Sequence, residues 1–313
     1  MKIKTIGGHR LICIIGILAA AVCISSEAKS QNSSGVIIDL TSQVESDFEL
    51  IDLGLRADGS LGAVGNGTDA TGDNVARLVD VAADRLSFSS SIFQGLGADV
   101  NVRGISSDVS HAAGFSDSPI SIDFEGISWD LSDSYLSPEG IGFVSGFAQN
   151  SIALGAWTDG VVGNHSGVSD AVTFSSSSGL SVLPDSGGIS EARDASSNGS
   201  IIVGVSSDFG AIVGASFWDS SGINQLDDSF GISSIAASIS PNASFIGGEL
   251  AFFEPATFQT GTQAAIWSGS SYDLTLLQEE DASGNLIRLL GQVNDVSNSG
   301  WAVGETVTGG GFI

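Results

Sequence analysis

The side chains that could do chemistry are few and scattered. Beyond residue 28 only His111 and His165 remain as histidines, and no Gly-x-Ser-x-Gly elbow accompanies either. The lysines stop at Lys29, so Schiff-base chemistry has no residue to use. Both cysteines, Cys13 and Cys23, lie in the N-terminal apolar stretch, which leaves the rest without a thiol, disulfide or Cys-ligated metal. Carboxylates are abundant, with 36 Asp and Glu. A glycosidase needs two of them about 5–10 Å apart across one sugar, and the sequence singles out no pair. Asp281-Ala282-Ser283-Gly284-Asn285 and Asp69-Ala70-Thr71-Gly72-Asp73 space oxygen side chains as a cation loop would. An EF-hand would need Gly at Leu286 and Glu at Gln292, so both stretches read first as Asp/Asn turns, with weak calcium binding as the sharper alternative. The expectation is no catalytic residue, no metal site and no cofactor. One stretch stands out as a contact surface: Glu249 to Gln263 carries Phe252, Phe253 and Phe258 around Pro255. It is the candidate ligand or partner site, and packing across a sheet face is the plain alternative.

Charge narrows the partners. The formal charge is −26 and the pI near 4.1, a surface that repels phosphate backbones and excludes nucleic acid as a partner. Anionic lipid is disfavoured for the same reason, and a solvated acidic coat is the first explanation of the excess. Residues 1–28 read as a secretory signal peptide: Lys2, Lys4 and Arg10 are basic, Leu11 to Ile24 is apolar, and Ser26-Glu27-Ala28 offers a cleavage site. That apolar run is shorter than the roughly 20 residues a spanning helix needs, so no stable membrane span is expected after removal. The partner expected is an unknown extracellular protein or glycan. The address is export: secreted, periplasmic or cell surface.

The elements that must carry any site recur along the chain. One phrase, an apolar residue and Ser, a tight Asn/Asp turn, then an apolar run closing on Gly, appears at Ile105–Gly114, Ala195–Gly204, Ile239–Gly248 and Val296–Gly304, and more loosely at Ala57–Gly65 and Phe147–Gly155. Asn198-Gly199 and Asp58-Gly59 suggest two-residue type I′ hairpins. A second phrase follows: an aromatic strand, a Ser/Gly turn and a Leu-rich strand, as in Val172–Leu183, Ser216–Leu226 and Ala265–Leu277. Gly204 to Gly248 is a step of 44 residues, within the period of propeller blades. In Ser200 to Ser206 both faces are apolar or small, so each sheet must be sandwiched by neighbours, which radial stacking achieves.

The fold expected is therefore all-β, a propeller-like array of about six four-stranded antiparallel blades, the last incomplete. Residues 1–28 are the signal peptide, 29–49 a lead-in whose Val36 to Leu40 is a candidate ring-closing strand, and 50–313 the repeat domain. One short helix is expected near 74–86, because Val75, Leu78, Val79, Ala82 and Leu86 fall at helical spacing after Thr71 and Asp73 as caps.

Val172-Thr173-Phe174, Gly179-Leu180, Leu183-Pro184, Gly187-Gly188, Asn198-Gly199 and Val203-Gly204 together resemble the bacterial extracellular HAF-type repeat. The match is good over about 170 to 305 and fainter from 50 to 165. The resemblance implies a secreted or surface protein built of propeller-like repeats. The leading functional reading is a non-enzymatic binding or structural module. An extracellular carbohydrate-active enzyme on a propeller scaffold, or the passenger part of a larger surface protein, are the alternatives.

Overall fold

The computed structural model describes residues 47–84, 87–118, 124–133, 136–143, 150–165, 170–185, 187–207, 213–228, 232–255, 258–281 and 283–313, together with two N-terminal strands. Those two, β1 (Ala21–Ile24) and β2 (Val36–Asp39), pair antiparallel in a sheet of their own. Blade 1 follows as β3 (Glu49–Leu55), β4 (Leu61–Thr68), β5 (Asn74–Val81) and β6 (Phe88–Ile92). Blade 2 is β7 (Asn101–Ile105), β8 (His111–Asp117), β9 (Phe124–Asp130) and β10 (Pro138–Gly140); blade 3 is β11 (Ser151–Trp157), β12 (Gly160–His165), β13 (Asp170–Ser175) and β14 (Gly179–Val182). Blade 4 is β15 (Ser190–Ala195), β16 (Ile202–Ser206), β17 (Gly214–Asp219) and β18 (Gly222–Gln225). Blade 5 is β19 (Ser233–Ile239), β20 (Phe245–Glu254), β21 (Gln259–Ser268) and β22 (Asp273–Leu276). A small hairpin, β23 (Gln278–Glu280) and β24 (Leu286–Arg288), precedes blade 6, which has three strands: β25 (Gly291–Val296), β26 (Ala302–Thr306) and β27 (Gly311–Phe312).

This is a six-bladed β-propeller. Strands within each blade pair in sequence order, and the first strands of successive blades touch, so they lie nearest the axis. The apolar cores sit between blades, as sheets with two apolar faces require. Trp129, Trp218 and Trp267 are buried there. Their indole N–H groups donate to the carbonyls of Gln94 (2.8 Å), Pro184 (2.6 Å) and Asp227 (2.8 Å) in the preceding connections. Each indole thus fills an inter-blade gap and ties its blade to the incoming chain.

The recurring phrases have a local cause. In every blade the first strand carries a bulge, and a glycine of the second strand lies opposite it; in five blades this glycine closes the first phrase, whereas in blade 3 it is Gly163, and the phrase read as Phe147–Gly155 ends at the bulge within β11 instead. A Cβ on Gly65, Gly114, Gly163, Gly204, Gly248 or Gly304 would overlap the carbonyl oxygen of Glu49, Asn101, Ile152, Glu191, Ile235 or Gln292 respectively. The phrase's serine is the hub of the turn before it. Ser106 Oγ accepts the N–H groups of Ser110 (2.9 Å) and His111 (3.0 Å), and Ser240 Oγ those of Ser244 and Phe245 (both 3.0 Å).

Two local expectations are corrected. Residues 74–81 form strand β5, not a helix. Its apolar residues recur at 3 and 4 because both sheet faces are buried, which mimics helical spacing. Thr71 and Asp73 are no caps: their N–H groups donate to Asp69 Oδ1 in a turn. The Asn198-Gly199 turn is also longer than two residues. Only Gly199 has positive φ (66°), the Gly199 N–H donates to Ser196 O (2.8 Å), and Asn198 Oδ1 accepts from Ser200 N–H (3.1 Å).

Candidate functional site

The side chains proposed from sequence sit at the tip of the hairpin made by β20 and β21, whose paired strands run on past the length of the other blades to Glu254↔Gln259. Phe253 (44% exposed) and Phe258 (83% exposed) meet there, ring centroids 6.1 Å apart and edge to face. Phe258 has φ of 54°, a left-handed conformation that bulky residues rarely adopt. Phe252 does not join them. Alternation along β20 sends it to the opposite face, where the Arg288 guanidinium lies 4.3 Å from its ring centroid. Arg288 also pairs with Glu254 at 3.5 Å, so the β23–β24 hairpin braces the longer one. The tip is an aromatic pair held out in solvent on a supported arm, suited to stacking on a flat apolar or sugar face.

The two histidines lie at opposite ends of their strands and cannot act together. His111 begins β8, its Nδ1 3.4 Å from Ser110 Oγ. His165 ends β12, fully buried, and neither ring nitrogen has a hydrogen-bond partner. Burial holds its pKa below the ordinary value, against the pull of Asp170 across the sheet. Burial and the nearby Asp185 raise Asp170 in turn. Among the described residues no group of three His, Cys, Asp or Glu is placed to hold a metal ion. The two cation-like loops are turns. Asp281 Oδ1 accepts from Ser283 and Asn285 N–H (2.8 and 2.9 Å), and Asp69 Oδ1 from Thr71 and Asp73 N–H (2.8 and 3.1 Å).

Sequence reasoning missed a second feature at the centre of the ring. At the residue just past each first-strand bulge the six blades place Asp52, Gly104, Gly155, Asp194, Ser238 and Asp295. Asp52 Oδ2 accepts the N–H of Ile105 in the next blade (2.9 Å), and Asp194 Oδ2 that of Ile239 (2.8 Å), so these carboxylates bolt neighbouring blades together. Each also caps the N–H that follows it, as does Asp295 with Val296 (2.7 Å). Burial pushes Asp52 up to about 7, with the charge of Asp295 adding to it. Asp194 is raised well above the usual range, by burial first and by Asp52 and Asp295 after it. Asp295 is open to solvent on one side, and the protein around its other sides pushes it up to about 6. The signal was present in the sequence. Asp194 and Asp295 immediately precede the apolar residue of the turn phrase, in Asp194-Ala195-Ser196 and Asp295-Val296-Ser297, whereas Asp52 lies five residues before Ala57.

No family model matches this chain, and no curated protein matches it. Among solved structures it is similar to a TolB protein from Agrobacterium tumefaciens, with a TM-score of 0.51 at 13% identity over 89% of this chain and 92% of that one. TolB from Acinetobacter baumannii follows, with a TM-score of 0.48 at 17% identity over 86% of this chain and 64% of that one. The likeness is one of fold. Among the described residues no helix is long and apolar enough to cross a membrane.

Proposed function

We propose that this chain is an exported, non-enzymatic binding module of HAF-repeat type that holds an extracellular protein or glycan at the tip of the β20–β21 hairpin. The observation that carries it is the exposed Phe253–Phe258 pair, on an arm braced by Arg288. A solvent-facing aromatic pair of this kind is costly to leave bare and useful for contact. The charge of −26 keeps such a surface soluble and selects against anionic partners. The scattering of the histidines and the turn roles of Asp69 and Asp281 favour binding over turnover.

A glycan array and a pull-down of surface proteins test the reading, with the Phe253→Ala/Phe258→Ala double variant as control. Binding lost in the double variant and kept in Glu279→Gln supports it. Glycan hydrolysis abolished by one carboxylate substitution would replace it with the carbohydrate-active reading.

A further inference from the structure

Where blades 1 and 2 meet, at the end of the ring that carries the turns between first and second strands, three aliphatic side chains fill the corner. Leu78 comes from β5 of blade 1, Val109 and Leu136 from the turns of blade 2, and all are 3–4% exposed. The same corner between blades 4 and 5 is built from different residues. Strand register puts Phe217 where Leu78 stands, since each pairs with the buried valine opposite the bulge, Val203 or Val64. Ala243 matches Val109: each donates its N–H to the carbonyl of its turn serine at 2.8 Å, with φ of 59° and 61°. Tyr272 matches Leu136: each lies two residues before the strand partner of the inter-blade indole, Trp267 or Trp129, with φ of 53° and 46°.

The exchange opens the corner. Phe217, Ala243 and Tyr272 are half-buried, and with Asp219, Ser244 and Ser270 they line a cavity of about 610 Å³. That is the size of a small-molecule site. The rings of Phe217 and Tyr272 meet at 64° with centroids 5.1 Å apart, so they make an angle between two walls and not a flat platform. The Tyr272 hydroxyl donates to the Ala243 carbonyl (2.9 Å), which fixes the ring. Deeper in, Val203 stays buried, so the cavity is a notch at the rim of a closed seam.

Charge decides what the notch takes. In blade 1 the carboxylate at this level is Asp80, and Arg56 pairs with it at 2.6 Å. Asp219 holds the same position, each following the residue that fills the inter-blade gap, Trp218 or Val79. Among the described residues Asp219 has no basic partner. Its Oδ1 accepts the N–H and hydroxyl of Ser221 (2.7 and 2.6 Å) and the Asn224 amide (3.3 Å), while Oδ2 receives no protein donor among them. The Ser221 hydroxyl and then its N–H hold the acid below the usual carboxylate range, so it stays charged near neutrality. An ionised carboxylate beside two aromatic rings, in a lining without Lys or Arg, is the chemistry that recognises an organic cation. A sugar, which stacks on one open flat face, suits two crossed rings less.

We propose that the notch between blades 4 and 5 binds a quaternary ammonium group, its charge against Asp219 and its methyl groups on Phe217 and Tyr272. Ser244 and Ser270 are the lining groups available to a hydroxyl on the same molecule. The notch lies where β20 begins and the aromatic arm where β20 ends, so the two sites occupy opposite ends of the ring and neither depends on the other.

Calorimetric titration of the purified chain with choline, at physiological ionic strength, tests the site against dimethylbutanol, the uncharged carbon analogue of the same shape. Choline should bind at least tenfold tighter than the analogue, and Asp219→Asn should remove that advantage. Phe217→Leu/Tyr272→Leu copies the aliphatic pair of blades 1 and 2 and keeps the net charge. It should weaken choline binding at least tenfold with an unchanged circular dichroism spectrum. Choline affinity that survives there would be diffuse attraction to a surface of charge −26 and would overturn the site. If that variant does not fold, Asp219→Asn decides alone, and an unchanged affinity overturns the proposal. So would butylammonium, a lysine side chain in miniature, binding as well as choline, or a neutral monosaccharide binding in its place. Phosphatidylcholine vesicles separate the two carriers of the group, and either result supports the site. Cosedimentation lost in the double variant assigns a lipid headgroup, and choline binding without cosedimentation a free solute.

Discussion

Blades 4 and 5 meet across a closed seam and blades 6 and 1 face each other across an open one, although all are built from the same repeat. At the closed seam Val203 is covered, Asp194 reaches across to the Ile239 N–H, and Trp267 ties the incoming chain. At the open seam Val303 and Leu53 see solvent. Asp295 holds only its own neighbour's N–H among the bonds described, and in blade 1 the position of Trp267 is held by Val79. The repeat therefore specifies a blade, while the neighbour supplies its stability.

That contrast can be broken deliberately. The largest effect should come from Gly204→Ala, where a methyl group would overlap the Glu191 carbonyl inside the innermost bulge of a blade packed on both sides. Its melting temperature should fall by more than about 10 °C, or no folded protein should be recovered. Gly304→Ala meets the same overlap with Gln292 but in a blade packed on one side, so circular dichroism melts should show a smaller, local loss. Next in size, Val203→Ala should cost on the order of 2 kcal/mol by denaturant unfolding, as a buried large-to-small change does. Val303→Ala in the full chain should cost under about 0.5 kcal/mol. Equal costs would mean the two seams are equally packed.

The ring of carboxylates gives a pH test of intermediate size. Asp52, Asp194 and Asp295 have folded pKa values above their unfolded ones, so the folded state holds extra protons between about pH 4 and 7. The stability they add is fully present below the unfolded value; that of Asp295 and Asp52 is lost as pH rises through about 6 to 7, and that of Asp194 as pH rises through its own raised value. Asp58, Asp69, Asp219 and Asp281 are held low by turn hydrogen bonds and act oppositely, costing stability below about pH 4. Thermal stability should therefore peak near pH 4–6. Asp295→Asn keeps an acceptor for Val296 N–H and removes the charge felt by Asp52, so it should raise the melting temperature by about 2–5 °C at pH 8 and little at pH 5. The smallest effect is screening. Added salt or calcium should raise the melting temperature by a few degrees at pH 8, with less gain at pH 5.

Much of this architecture was legible in residue order. The closing glycines and turn serines recur because the bulge and the turn hub recur, and the indoles mark the inter-blade gap. Strand β5 was misread because a strand buried on both faces loses its period of two, and Val75, Leu78, Val79 and Ala82 then imitate a helix. The aromatic arm was visible as a cluster, but only the pairing of β20 with β21 separates Phe253 and Phe258 from Phe252. The central aspartates escaped notice among many acidic residues, since their meeting depends on closing a ring from positions far apart in sequence. The open seam was legible only as an incomplete last repeat; Val303 itself gave no sign of it, because valine is also what blades 1, 3 and 4 place there.

Native-state hydrogen exchange on the full chain tests the dependence of each blade on its neighbours most directly. The amides of Val203 and Gly204 should exchange only through global unfolding, while those of Val303 and Gly304 exchange at least a hundredfold faster. Matching protection in the two strands, or blade 4 opening as readily as blade 6, would contradict it.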